Sequence, residues 1–214
     1  MNPESFVDLL WRARATAILR APRQDVAAQA MEAAVRGGFE VVEFTLTTPG
    51  ALELIADFAR RPGLVVGAGT VLRVEQARSA VAAGASFLVA PNLDERVVAE
   101  ATALGVAILP GIHTPTEMVR AHDAGAPLLK LFPAPAGGPA YLRACLGPLP
   151  FLRIVPTNGV DEGNAAAWIE AGAWAVGFVN ALFDPAELAA DDVSAVEARA
   201  RRLLAAVMAP RRTR

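Results

Sequence analysis

The chain has 214 residues, 54% of them hydrophobic and 20% charged, which is enough apolar material for a sizeable buried core. A formal net charge of −2 gives no reason to expect nucleic acid or a membrane surface as partner. No apolar run reaches the roughly 18 residues that span a bilayer, and the N-terminal stretch lacks the basic-then-apolar order of a signal peptide. The single cysteine, Cys145, excludes an internal disulfide and a cysteine metal cluster. The expectation is one cytoplasmic domain over 1–214.

A leading helix is expected over 4–14. Short apolar runs then alternate with helical segments: a strand at 16–19 and a helix at 25–36, 41–46 and 51–60, 64–67 and 74–83, 87–90 and 95–104, 107–109 and 116–124. Runs at 128–132, 153–156 and 175–179 follow, with one more helix at 164–171. Glycines close the helices, at Gly37-Gly38, Gly84, Gly105, Gly125 and Gly172. Thr114-Pro115-Thr116-Glu117 has the cap, proline and acid of a helix start. Strand starts fall about 20 to 25 residues apart, which suits one strand, one helix and two short loops. Continuous apolar strands alternating with helices imply a parallel sheet covered by helices. Eight such units make a single α/β chain with a (β/α)₈ TIM barrel and an N-terminal helix. An open doubly wound sheet is the alternative, but no G-x-G-x-x-G follows the first strand. The basic tail at 209–214 is expected to be disordered.

Lys and Arg total 20, and the chain contains one lysine, Lys130, against nineteen arginines. Lys130 stands inside Leu128-Leu129-Lys130-Leu131-Phe132, an apolar strand where lysine is rare without a reason. Arginine cannot replace a nucleophilic amine, because its guanidinium stays protonated. Barrel chemistry sits at the C-terminal ends of strands. Those ends carry Arg20; Glu43, Thr45, Thr47 and Thr48; Thr70; Pro91-Asn92; Gly111 and His113; Lys130; Thr157-Asn158-Gly159; and Gly177 with Asn180.

Glu43 and Lys130 both interrupt apolar strands. Facing inward, they form either a buried ion pair of little net value or an amine nucleophile beside a proton shuttle. In the second case a neutral lysine attacks a ketone, the iminium acts as electron sink, and the carboxyl group moves protons. A 2-keto acid also needs a cation for its carboxylate, and Arg20 is available. His113 and His122 do not form a metal set. Gly67-Ala68-Gly69-Thr70 reads as a tight strand exit.

Val42-Glu43-Phe44-Thr45-Leu46, Gly67-Ala68-Gly69-Thr70-Val71, Val89-Ala90-Pro91-Asn92, Leu109-Pro110-Gly111, Leu129-Lys130-Leu131-Phe132-Pro133 and Pro156-Thr157-Asn158-Gly159-Val160 occur in this order. Together they resemble the 2-keto-3-deoxy-6-phosphogluconate / 4-hydroxy-2-oxoglutarate aldolase family over nearly the whole chain. The resemblance implies a homotrimeric class I aldolase on a barrel, with Lys130 as Schiff-base lysine, Glu43 as acid/base and Thr70 beside the pyruvyl carboxylate. Thr47 stands where the gluconate branch carries a carboxylate-binding arginine. The 2-keto-3-deoxy-6-phosphogalactonate branch also lacks that arginine, and resembles this chain in Ala17-Ile18-Leu19-Arg20, in Pro91-Asn92 and in Gly138-Pro139-Ala140-Tyr141. Arg20 takes the carboxylate role by that resemblance, with Thr47 and Pro91 as further substrate-binding positions.

For the phosphate, the resemblance points to Thr157, Asn158, Gly159, Gly177 and Asn180, although Asn158 and the Val179-Asn180 step replace glycines of the family pattern. Asparagine tolerates a left-handed backbone, whereas valine suits an oxyanion loop poorly. The implied reaction cleaves a 2-keto-3-deoxy-6-phospho sugar acid, of gluconate or galactonate type, reversibly to pyruvate and glyceraldehyde 3-phosphate. It needs no metal and no organic cofactor. 4-Hydroxy-2-oxoglutarate and non-phosphorylated acids are alternative substrates. A phosphate-binding barrel isomerase would need other catalytic acids, and a non-catalytic binding barrel would not need Glu43 and Lys130.

Overall fold

The computed structural model describes residues 1–208, so the tail at 209–214 lies outside the described residues. Strands and helices alternate in the order α1 (Pro3–Ala13), β1 (Ala15–Leu19), α2 (Gln24–Arg36), β2 (Val41–Thr45), α3 (Ala51–Phe58), β3 (Val65–Gly69), α4 (Val74–Ala82) and β4 (Phe87–Val89). There follow α5 (Glu95–Ala103), β5 (Ala107–Leu109), β6 (Gly111–Ile112), α6 (Pro115–Asp123), β7 (Leu129–Leu131) and α7 (Gly138–Leu146). The series ends with β8 (Ile154–Pro156), α8 (Ala165–Glu170), β9 (Val176–Phe178), α9 (Pro185–Ala189) and α10 (Val196–Ala206). No helix among the described residues is long and apolar enough to cross a membrane.

The expected strands and helices are present, with ends moved by a few residues at most. The Thr114 hydroxyl accepts from the Glu117 amide while the Glu117 carboxylate accepts from the Thr114 amide, a capping box that starts α6. Gly84, Gly105, Gly125 and Gly172 all adopt positive φ at helix stops, where a Cβ would add strain. The sequence reading named no helix at α7 and none after β9. There α10 packs back on α2 so closely that a Cβ on Gly37 would overlap the Ala200 methyl.

All strand pairs are parallel, which makes the fold α/β with a curled parallel sheet. One ladder runs β5-β4-β3-β2-β1-β9 and the other β6-β7-β8. The expected fifth strand, 107–109, is β5, and the ladder changes just after it at Pro110, which has no N–H to donate. Its carbonyl instead accepts from the Lys130 amide at 2.9 Å, so the chain changes neighbours at that proline. A parallel bridge, Thr157 to Gly177, joins the β8 end to β9.

Alternation along the strands divides the core in two. Val42, Phe44, Leu129 and Leu131 point outward into the helical layer, and Val41, Val65, Phe87, Ala107, Leu128 and Val155 point inward. Phe6, Val7 and Leu10 of α1 complete the inner set, with Phe6 stacked on Phe87 at 4.4 Å between centroids. Val41, Val65, Phe87 and Ala107 are first residues of their strands. The amphipathic leading helix therefore plugs the N-terminal end of the sheet, and only the C-terminal end is left open to a ligand.

Candidate active site

Strand alternation settles the orientation of the two ionisable residues. With Leu129 and Leu131 outward, Lys130 points inward and is 7% exposed. With Val42 and Phe44 outward, Glu43 points inward and is 1% exposed. Both line one narrow interior cavity, with about 10 Å³ of water-sized space, about the minimum for one water molecule. Thr16 and Thr157 line it too. A far larger open cleft of about 550 Å³ lies between the β2–α3 loop and α4, lined by Thr47, Glu53 and Glu75 among others. No lysine, histidine or cysteine lines it.

Neither Glu43 oxygen has a hydrogen-bond partner within the protein. Burial pushes the Glu43 carboxyl above its ordinary range, against the opposing fields of Lys130 and Arg20. Burial likewise pushes the Lys130 ammonium down, against the field of Glu43, while Arg20 lowers it further. The result favours a neutral amine beside a carboxyl group that can hold a proton. Such a pair can form an iminium and move protons during its formation. A stabilising ion pair would instead show a hydrogen-bonded carboxylate.

The glycines of Gly67-Ala68-Gly69 do not form the expected strand exit. They lie within β3, and each makes room for a side chain: a Cβ on Gly67 would overlap the Phe87 ring, and one on Gly69 the Glu43 carboxylate. Gly69→Ala is expected to keep the fold, since its φ is ordinary, while displacing Glu43. Turnover should fall about 10- to 100-fold with little change in melting temperature. An unimpaired Gly69→Ala variant would show that the position of Glu43 does not matter.

Arg20 immediately follows β1, is exposed, and acts electrostatically on both Glu43 and Lys130. Thr70 follows β3 with φ 61°, and the carbonyl of Pro91, after β4, lies where a Cβ on Gly111 would fall. Thr47 is exposed at the rim, its hydroxyl 3.0 Å from that of Thr45.

The five phosphate candidates divide. Asn158 and Gly159 are exposed and adopt φ of 61° and 112°, and no hydrogen bond from their amides is recorded among the described residues. Asn180 is exposed in the turn after β9, where the Val179 carbonyl accepts from Leu182 and Phe183. The Thr157 amide is already donated to the Leu131 carbonyl, and its side chain faces the Lys130 cavity. Gly177 is buried within β9, where a Cβ would overlap the Thr157 hydroxyl and Ile18. Packing thus accounts for the glycine at 177, and its strand position takes it out of the exit loops.

Sequence reading overlooked Thr16. Its buried hydroxyl lacks a partner and faces the same cavity. A polar residue two places before Ile18 on an apolar strand was the available signal.

A family model described as KDPG and KHG aldolase matches residues 7–199. A 2-dehydro-3-deoxy-phosphogluconate aldolase of Treponema pallidum (strain Nichols) is 37% identical over 210 residues, covering 94% of this chain and 96% of that protein. A 2-dehydro-3-deoxy-6-phosphogalactonate aldolase of Escherichia coli (strain K12) is 35% identical over 170 residues, 78% of this chain and 83% of its own length. Among solved structures, the 2-keto-3-deoxy-6-phosphogluconate aldolase of Zymomonas mobilis ZM4 with 3-phosphoglycerate superposes with a TM-score of 0.82 at 32% identity, covering 93% of this chain and 95% of that one. The fold belongs with the aldolases, which are carbon–carbon lyases. The chain is a member of the KDPG and KHG aldolase family.

Proposed function

We propose that this protein is a cytoplasmic class I aldolase that cleaves a 2-keto-3-deoxy-6-phospho sugar acid reversibly to pyruvate and glyceraldehyde 3-phosphate. The observation that carries the reading is the only lysine of the chain, buried and facing an equally buried, unpaired carboxyl group. The Lys130 amine adds to the C2 ketone, and Glu43 hands a proton to the carbinolamine hydroxyl, which leaves as water. With the iminium as electron sink, the Glu43 carboxylate takes the C4 hydroxyl proton as the C3–C4 bond breaks and the aldehyde is released. Glu43 returns a proton to the enamine, and hydrolysis frees pyruvate. The iminium supplies the electrophile that a metal would otherwise provide. Arg20 binds the substrate carboxylate, with Thr70, Pro91 and Thr47 around it. Single-turnover cleavage with chemical quench, followed through formation of pyruvate, tests the assignment.

For the terminal phosphate we retain Asn158, Gly159 and Asn180. Both Asn158 and Gly159 have positive φ in an exposed strand exit, and exposed backbone amides in such a loop are groups an oxyanion can accept from. Removing the phosphate from the substrate is expected to lower kcat/KM about 10²- to 10³-fold, from several charge-assisted hydrogen bonds. Inorganic phosphate should compete with the phosphorylated acid. Equal rates for the two acids, within about tenfold, would reassign the enzyme to 4-hydroxy-2-oxoglutarate or another non-phosphorylated acid.

We further read residues 1–208 as one domain and the two ladders as arcs of one closed (β/α)₈ barrel. The Thr157–Gly177 bridge and the Pro110 carbonyl bond to Lys130 support closure at the two seams. We also propose a homotrimer, for which the exposed Leu52 and Leu72 offer an apolar contact. Sedimentation at micromolar concentrations should show three chains; a monomer throughout would end that reading.

A further inference from the structure

Arg20 stands on a short loop between β1 and α2, in a chain that pairs most of its described arginines with carboxylates but leaves Arg12, Arg73 and Arg143, like Arg20, without a recorded ion pair. Among the described residues, Arg23, Arg36, Arg60, Arg61, Arg78 and Arg96 all make ion pairs, whereas none is recorded for Arg20. An exposed long side chain without such a partner samples many rotamers. Its aim therefore depends on how firmly its backbone is held.

The adjoining loop holds it. Thr48 is 2% exposed, and its hydroxyl accepts from the amide of Ala21, the residue next to Arg20, at 3.2 Å. The Thr45 hydroxyl lies 3.3 Å from that of Thr48 and 3.0 Å from that of Thr47. An amide can only donate, so Thr48 is the acceptor there and its own proton remains free for the Thr45 oxygen. The chain of hydroxyls thus runs from the Arg20 loop to β2, the strand that carries Glu43. A second contact reinforces the first. Gly50 adopts φ 69°, and a Cβ there would overlap the Gln24 side chain at the start of α2. Both loops are therefore interlocked at the mouth.

We infer that Thr48 is a positioning residue for the reaction, orienting Arg20 toward the substrate carboxylate through the Ala21 amide. The inference rests on the assignment of Arg20 as the carboxylate-binding cation. Thr48 is itself buried, at the edge of the open cleft beside the β2–α3 loop, and acts through the Ala21 amide. Its substitution should weaken binding of the keto acid without disabling the amine.

The test is steady-state cleavage by wild type, Thr48→Val, Thr48→Ser, Arg20→Ala and the Thr48→Val/Arg20→Ala double variant, each checked for folding by its melting curve. Thr48→Val, which keeps the shape and loses the acceptor, should raise KM about tenfold with kcat within about threefold, as misaimed binding groups do. Thr48→Ser should restore KM. In the Arg20→Ala background, Thr48→Val should add nothing, because the group it aims is gone. Arg20→Ala with wild-type KM would remove the carboxylate assignment, and this inference with it. Impaired Arg20→Ala beside a normal Thr48→Val would overturn the positioning role alone. So would equal, additive losses in both backgrounds, which would mark Thr48 as a general stabiliser.

Discussion

Incubation with pyruvate and borohydride is expected to add one reduced pyruvyl group per chain, at Lys130. No other lysine competes, so intact mass and one peptide decide the matter. Lys130→Met should abolish the adduct and lower turnover by about 10⁴-fold or more, the scale on which loss of a nucleophile acts. Methionine matches the length and apolar setting of the lysine stem, so the variant should fold. The pH dependence carries its own sign. Burial lowers the Lys130 pKa from the ordinary 10.5, so the free amine appears, and trapping reaches its plateau, below that value. Between the lowered folded value and 10.5 the unfolded chain binds the proton and the native chain does not. Stability therefore rises with pH across that window. Adduct on the N-terminal amine alone would refute the Schiff-base assignment.

Glu43→Gln is expected to retain pyruvate trapping in part while losing about 10²- to 10⁴-fold in cleavage rate, through loss of proton transfer. The same variant should be more stable than wild type at neutral and higher pH. Burial raises the Glu43 pKa above the ordinary 4.5, so the native chain holds a proton that the unfolded chain has released. Wild-type stability accordingly falls as pH rises from 4.5 through the folded value, and glutamine removes that slope. A faster-melting Gln variant would mean that the carboxylate is structurally satisfied. An unimpaired rate would leave Glu43 only an electrostatic partner of Lys130. Loss of activity together with a gain in stability is the signature of a catalytic group held at a cost.

The alternation of apolar runs with helical segments disclosed the parallel α/β fold, because burial on both sides of a strand leaves an unbroken apolar string. The capping box at Thr114 and the helix-ending glycines were legible for a similar reason: caps are local chemistry. Lys130 and Glu43 could be picked out because an ionisable residue in an apolar strand violates the local pattern. Linear order could not show which neighbours each glycine faces. Gly69 makes room for Glu43 and Gly177 for Thr157, both across strand pairs, and neither serves the loop that composition suggested.

Thr157 shows the same limit. Its place in Pro156-Thr157-Asn158-Gly159 suggested an anion loop, yet its amide is consumed by the ladder and its side chain turns inward. The change of ladder at Pro110 and the hydroxyl contact from Thr48 to the Arg20 loop likewise depend on residues far apart in the chain. What the sequence by itself determined is the set of elements and the chemistry available, since periodicity, caps and residue types are local. The tertiary structure alone decided which glycines make room for side chains and how the loop that carries Arg20 is held. Those properties follow from strand register and packing between distant segments, where a shift of one residue would turn every side chain to the opposite face.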